Sequence, residues 1–282
     1  MRKDLEYKEI ISKLSMANFD ILKGNYHLKH TEMLGLLDYG LHDKNITKER
    51  KEVLEALKCK YQFSLVLNES KIGIISDTHI GSELASAFYI KKSYDFFKEN
   101  NITTVLHLGD ILDGFDERDI LTKNELIAKL YKQITLFHDI FPTNMTTYAI
   151  LGNHDTKFKQ LNIDLYKELS SLTFIIFGPG GAYINCSNYK LFMEHKVNSS
   201  ILVPPYYNYD VILQGHSHLF KFKENRNIFK IGSCSNLQPN NYIFNNYAPG
   251  FAIISTTDSL IGETYNFKED DIIHTLSLKL KD

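Results

Sequence analysis

The sequence is poor in cysteine, in long apolar runs and in excess charge of either sign, and each shortage closes off a class of protein. Only three cysteines occur, Cys59, Cys186 and Cys234, widely spaced and without a Cys-x-x-Cys. Such a set makes neither a disulfide framework nor a thiolate metal cage, and reads as small buried hydrophobes in a reducing compartment. No apolar stretch reaches the ~20 residues that cross a bilayer. The start, "MRKDLEYKEI", is charged where a secretory signal needs an apolar core. The expectation is a cytoplasmic protein with no membrane partner. With 32 basic and 34 acidic side chains the net charge is −2, which gives no general attraction to nucleic acid. Any such partner has to be held locally. Internal repeats and low-complexity linkers are also lacking.

What is present is an ordinary globular composition over 282 residues, 43% hydrophobic and 23% charged, enough for one large domain or a domain with an appendage. Residues 1–62 contain almost nothing that reads as strand. "LEYKEIISKLSMANF" spaces Leu5, Ile10, Ile11 and Leu14 as a helix does, and "NITKERKEVLEALKCKY" opens on Thr47 as an N-cap. The reading is a helical appendage, used for packing or to form a homodimer. A DNA-gripping helix-turn-helix is the weaker reading, because the basic residues are not gathered on one face.

Residues 63–282 form the second predicted domain. Strands "FSLVLN", "KIGIISD", "TTVLHLGD" and "TTYAILGNHD" alternate with the helical patterns "SAFYIKKSYDFFKENN", "KNELIAKLYKQITLFHDIF" and "FKQLNIDLYKELSS". That alternation predicts an α/β sheet covered by helices. After residue 172 only short strands follow, which predicts a separate second sheet packed on the first.

Polar residues gather where those strands stop. "KIGIIS" is followed by Asp77 and His79, "TTVLHL" by Asp110 and Asp113, "TTYAIL" by Asn153, His154 and Asp155, "YKLFME" by His195, and "DVILQ" by His216 and His218. Strand ends of this kind converge in one crevice of an open α/β sheet. Carboxylate oxygens mixed with imidazole nitrogens suit divalent manganese, iron or zinc. Seven candidate ligands, Asp77, His79, Asp110, Asn153, His195, His216 and His218, are too many for one ion and right for two if one carboxylate bridges. Coincidence at five independent strand ends is the poorer explanation.

Taken in order, "DTH", "GDILD", "GNHD", the lone His195 and "GHSH" resemble the motif series of the calcineurin-like metallophosphoesterase superfamily, over about half of the chain. The resemblance implies a two-sheet β-sandwich flanked by helices in four layers, with a dinuclear site at one edge. It implies that Asp77, His79 and His218 hold the first ion, that Asn153, His195 and His216 hold the second, and that Asp110 bridges. His154 would stand beside the metals rather than bind them, either contacting the phosphate or protonating the leaving group, held by Asp155, with Asp113 orienting ligands behind them. The activity implied is hydrolysis of a phosphate ester by in-line attack of a metal-bridging hydroxide, the ions being Mn2+, with Fe or Zn as alternatives. One departure stands out: Lys196 follows His195 where the family usually has glycine.

"ISDTHIGS" and "LHLGDILDGFD" lean towards phosphodiester substrates, a nucleic acid or a nucleotide. A phosphomonoesterase or protein phosphatase, or a catalytically silent scaffold on the same fold, are the alternatives. A complete set of ligand types argues against the scaffold. His107 reads as a core histidine or one that stands behind the ligands, His27, His30, His42, His138 and His274 as surface or packing residues, and Arg118 and "PPYYNYD" (204–210) as the rim of the pocket or packed loop.

Overall fold

The structure is a computed structural model, and it describes residues 2–278 apart from 16, 27–32, 34–35, 38–39, 42, 62–63, 84, 117–119, 178–180, 197–208, 225–226, 237–248 and 269–270. Helices α1 (Arg2–Lys13), α2 (Phe19–Asn25) and α3 (Lys48–Tyr61) come first, followed by β1 (Ser64–Leu67) and β2 (Lys71–Ile75). Then come α4 (Ala87–Glu99), β3 (Thr104–His107), α5 (Lys123–Ile140), β4 (Thr146–Ala149), a 3-10 helix (Asp155–Leu161), α6 (Leu165–Leu169) and β5 (Phe174–Ile176). The remaining strands are β6 (Ala182–Cys186), β7 (Tyr189–Glu194), β8 (Val211–Gln214), β9 (Lys221–Lys223), β10 (Ile228–Lys230), β11 (Gly250–Thr256), β12 (Leu260–Asn266) and β13 (Asp271–Leu278).

Two mixed sheets face each other. One runs β13-β12-β11-β2-β3-β4-β5 and the other β1-β6-β7-β8-β10-β9. Side chains from both meet in a dry middle layer: Ile72, Ile74, Leu106 and Ala252 from the first sheet, and Ile184, Leu191, Leu213 and Phe229 from the second. On the outside of the first sheet α4 lays down Ile90, Ser93, Tyr94 and Phe97, and α5 lays down Leu130, Gln133, Ile134 and Phe137. Both sets follow the i, i+3, i+4, i+7 spacing of one helical face. A Ser86 cap starts α4, and a reciprocal capping box between Thr122 and Glu125 starts α5.

The N-terminal helices supply the fourth layer. Ile10, Ile11, Leu14, Leu54 and Leu57 form one cluster with Tyr183, Phe192, Ile212 and Ile228 on the outer face of the second sheet. Packing within the chain, one of the two roles expected of these helices, therefore covers these apolar residues. The four-layer sandwich agrees with the expected fold class, but the sheets do not divide at residue 172. Strands β5 and β11 to β13 belong to the first sheet, and β1 crosses to the second. The parallel β2–β3–β4 ladder has open edges, and β11 closes one by pairing antiparallel with β2, Ala252 against Ile74. The helix expected over 158–171 is also broken. Asn162 adopts a left-handed conformation at φ 60, and Asp164 caps a new short helix by accepting from the Tyr166 N–H at 3.1 Å.

Candidate metal centre

Strands β2, β3 and β4 run parallel, as do β7 and β8 across the sandwich, so five loops open at one end. The β2 and β3 loops stay zipped beyond their strands: Asp77 N–H donates to Gly109 O at 3.0 Å, and His79 N–H to Asp110 O at 3.1 Å. The backbone is strained where the candidate ligands sit. Of the nine non-glycine residues with positive φ among the described residues, five are Asp77, His79, Asp110, His216 and His218. Left-handed conformations cost non-glycine residues free energy and persist where surrounding structure enforces them, characteristically at functional sites. Close approach explains two motif glycines. A Cβ on Gly152 would stand 2.2 Å from Asp110 Oδ1, and one on Gly215 2.2 Å from Ser76 Oγ.

Three donor clusters result among the described residues, two of them centred on Asp77 and Asp110 and the third, His79, Asp113 and His154, sharing His79 with the first. In the first, Asp77 Oδ1 lies 3.2 Å from His218 Nε2 and 3.8 Å from His79 Nε2, while the two imidazole nitrogens face each other at 3.4 Å. In the second, His195 Nε2 lies 3.0 Å from Asp110 Oδ2 and 3.2 Å from Asn153 Oδ1, and the His195 and His216 rings meet edge to face with centroids 5.1 Å apart. Asp110 also reaches the first cluster, with Oδ2 3.9 Å from His79 Nε2. In each of the sets Asp77–His79–His218 and Asp110–His195–His216 the donor atoms lie within 4.8 Å of one another.

The donor chemistry fits divalent ions. Asp77 Oδ1 is buried and among the described residues meets only imidazole nitrogens, His218 Nε2 at 3.2 Å and His79 Nε2 at 3.8 Å, an arrangement of donor atoms that a cation would draw together. Second partners fix the rest: Asp77 Oδ2 accepts from Ser76 Oγ at 2.5 Å and from the His216 N–H at 3.0 Å. His195 Nδ1 stands 2.7 Å from Leu108 O. A carbonyl only accepts, so Nδ1 carries a proton, and Nε2 is the ring nitrogen that faces Asp110 and would take an ion once its own proton is displaced. The charges are strongly coupled. Burial works against ionisation of Asp77, but the neighbouring His218, His195 and His79 hold its carboxyl well below the usual range. Burial likewise opposes charge on His195, and contact with Asp110 outweighs it, carrying that imidazole up to about 9. His216 is pushed down to about 4 by burial and by the charges of His195 and Lys196.

His154 lies at the mouth of the first cluster, edge to face with His79 at 4.8 Å between centroids. Its Nδ1 donates to Asp113 O at 2.6 Å, leaving Nε2 for other work, and its backbone N–H donates to Asp110 Oδ1 at 2.8 Å. Asp155 does not hold the His154 ring as expected. Both of its oxygens are taken by backbone N–H groups of Ile111 (3.1 Å), Leu112 (2.9 Å) and Gly152 (2.8 Å). It ties the β3 loop to the β4 loop instead, while burial and the Asp110 charge push its carboxyl up to about 7.

His107 is a core histidine that sequence reasoning left without a role. It is fully buried, accepts the Gly109 N–H on Nδ1 at 3.2 Å and so donates from Nε2 to Thr78 Oγ1 at 3.0 Å, which passes a proton on to Ile111 O at 2.9 Å. The polar residue in mid-strand was the only signal. Gln133 similarly clamps both backbone groups of Gly114, at 2.8 and 2.7 Å. Cys186 and Cys234 are buried free thiols, and His138 meets Glu168 O at 2.8 Å on the surface. Of "PPYYNYD", Tyr209 packs over Phe192 in the outer layer, and residues 204–208 lie outside the described residues, as do Arg118, His27, His30 and His42. The side chains of Cys59 and His274 are also outside them. No helix among the described residues is long and apolar enough to cross a membrane.

Several known proteins are similar to this chain. The family model of the calcineurin-like phosphoesterase superfamily domain matches residues 71–243. A phosphodiesterase of Methanocaldococcus jannaschii is 28% identical over 171 residues, 58% of this chain and 84% of that protein. Among solved structures, a phosphoesterase from E. coli is 17% identical, covering 73% of this chain and 98% of its own, with a TM-score of 0.45. A Pseudomonas putida nuclease is 16% identical, covering 64% of this chain and 83% of its own, with a TM-score of 0.36. With most of the chain from β2 onward matched and the donor clusters at its strand ends, the chain belongs to the calcineurin-like phosphoesterase superfamily and is a metal-dependent hydrolase of phosphoric ester bonds.

Proposed function

We propose that the chain is a phosphodiesterase with a two-ion centre, in which Asp77, His79 and His218 hold one ion, Asn153, His195 and His216 hold the other, and Asp110 is shared. The observation that carries this is the pair of three-residue donor clusters joined through Asp110 Oδ2. Two divalent ions held there, Mn2+ in our reading with Fe or Zn as alternatives, would supply a water-derived nucleophile at neutral pH and charge to hold the phosphoryl oxygens. Around them, the chain's own groups have separable tasks. Asp77 and Asp110 bring negative charge and are each anchored by backbone N–H donors, which keeps them from rotating away. His154, fixed through Nδ1, faces the centre with Nε2 and donates a proton to the departing alkoxide as general acid. Diester preference is supported by the phosphodiesterase relative from M. jannaschii. The test is a screen of the Mn2+-loaded protein against bis-p-nitrophenyl phosphate, p-nitrophenyl phosphate, cyclic nucleotides and DNA. Turnover on diesters well above monoesters supports the reading. A reversed order makes it a phosphatase, and no turnover on any ester removes the reading.

A further inference from the structure

Beside the metal-bearing end of the six-stranded sheet, four residues lie in one register row across β7, β8, β10 and β9: Glu194, Gln214, Lys230 and Lys221. Their sequence neighbours Met193, Leu213 and Phe229 point into the core between the sheets, with Phe222 packed against it. Strand alternation therefore turns the row to the outer face, at the margin of the part that the N-terminal helices cover over Phe192, Ile212 and Ile228: Gln214 is buried, Glu194 and Lys230 are half-buried, and Lys221 is exposed. Lys223, across from Ile228, shares that face one step further from the centre. The position matters because β8 runs from Gln214 through Gly215 straight into His216. At a strand spacing of ~4.8 Å, Lys230 and Lys221 lie about 5 and 10 Å to the side of β8.

Two lysines directly opposite each other on paired strands repel. Among the described residues none of Lys221, Lys223 and Lys230 forms an ion pair with a carboxylate. Lys230 is half-buried, and burial together with the charges of Lys223 and Lys221 holds its ammonium below the ordinary value. Lys196, exposed, directly follows His195, and its charge is felt at His216. Glu194 is the acid of the row, two strands from Lys230. In a chain with a net charge of −2, this is a local concentration of positive charge leading away from the metals.

We propose that Lys230 and Lys221, with Lys223 beside them, bind the backbone phosphates that flank the scissile one, so that the substrate is a single-stranded nucleic acid strand laid along this rim rather than a mononucleotide. This rests on the phosphodiesterase reading and names the substrate class for the same centre. A row of point charges at strand spacing suits a repeating phosphate backbone, carries no base readout and gives sequence-tolerant binding.

The test compares kcat/KM on an oligothymidylate with kcat/KM on bis-p-nitrophenyl phosphate in Mn2+, for the intact chain and for the double variants K221Q/K230Q and K221Q/K223Q. The second pair spares the half-buried Lys230 and guards against misfolding, which a melting curve checks. The oligothymidylate to small-diester ratio is expected to fall at least ten-fold in K221Q/K230Q, and by a smaller factor in K221Q/K223Q. The slope of log kcat/KM on the oligothymidylate against log salt is expected to flatten by about 1.4, at ~0.7 for each single-strand phosphate that is no longer neutralised. An unchanged ratio overturns the proposal, and so does equal loss on both substrates or an intact chain that cleaves the small diester but not the oligothymidylate. If neither substrate turns over, the phosphodiesterase reading falls. The lysines are then read by fluorescence anisotropy of a labelled oligothymidylate, where equal binding by intact chain and variants overturns their role.

Discussion

Asp110 turns Oδ2 to His195 Nε2 at 3.0 Å while its other oxygen accepts the backbone N–H of His154. A single carboxylate thus touches the second donor cluster and the proposed acid, and it reaches towards His79 of the first cluster. The substitution Asp110→Asn removes the charge shared by both ions while keeping the shape. Loss of outer partners of a metal site costs ~10–100-fold in affinity or activity. Loss of a shared ligand is expected to exceed that, with Mn2+ content falling below two per chain. Elemental analysis after gel filtration checks it, and full retention of both ions would exclude Asp110 from the bridge.

His154→Ala is expected to keep both ions. Turnover should fall by ~10²–10⁴-fold on diesters with alkoxide leaving groups, and little on nitrophenyl esters, whose leaving group needs no proton. Loss of metal instead would make His154 a ligand. Asp155→Asn should behave differently. It places an amide where three backbone N–H groups now donate, so stability and metal affinity should fall together, independent of the leaving group.

The motifs of the site were legible because chemistry needs particular residue types at strand ends, and those stand in the sequence as short polar breaks after apolar runs. Four layers were legible too, through the family resemblance. The partner of each strand was not, since β1 and β11 to β13 carry ordinary strand patterns and nothing local says which sheet edge they will join. Asp155 was misjudged for a related reason: adjacency to His154 suggested a side-chain bond, whereas the backbone amides of two loops compete for the same oxygens. Asn162 and Asp164 were a readable helix break within a pattern that is continuous by periodicity alone.

His107 makes a pH prediction. Burial depresses its pKa from 6.5 to about 3, because the native state holds it neutral between Gly109 and Thr78. As pH falls below 6.5, the unfolded chain takes up a proton that the folded chain refuses. The stability contribution is intact above 6.5 and is lost progressively down to about 3. Metal-free His107→Gln should lack this part of the slope, which urea titrations at several pH values measure. Parallel slopes for both proteins would mean that His107 protonates without penalty.

Leu57, fully buried between the N-terminal helices and the second sheet, tests the fourth layer. Leu57→Ala is expected to destabilise by ~2–5 kcal/mol, with turnover on bis-p-nitrophenyl phosphate unchanged at temperatures where the chain stays folded. A variant of unaltered stability would mean that this layer is not packed as the structure has it.

The central claim is that two ions, held jointly by these seven side chains, perform the hydrolysis. The direct measurement is titration of Mn2+ into chelator-treated protein, with bound metal and turnover on bis-p-nitrophenyl phosphate followed together. The account predicts no turnover in the stripped protein and activity that rises until two ions are bound per chain. Turnover that survives stripping, or that saturates with one ion bound, would contradict it.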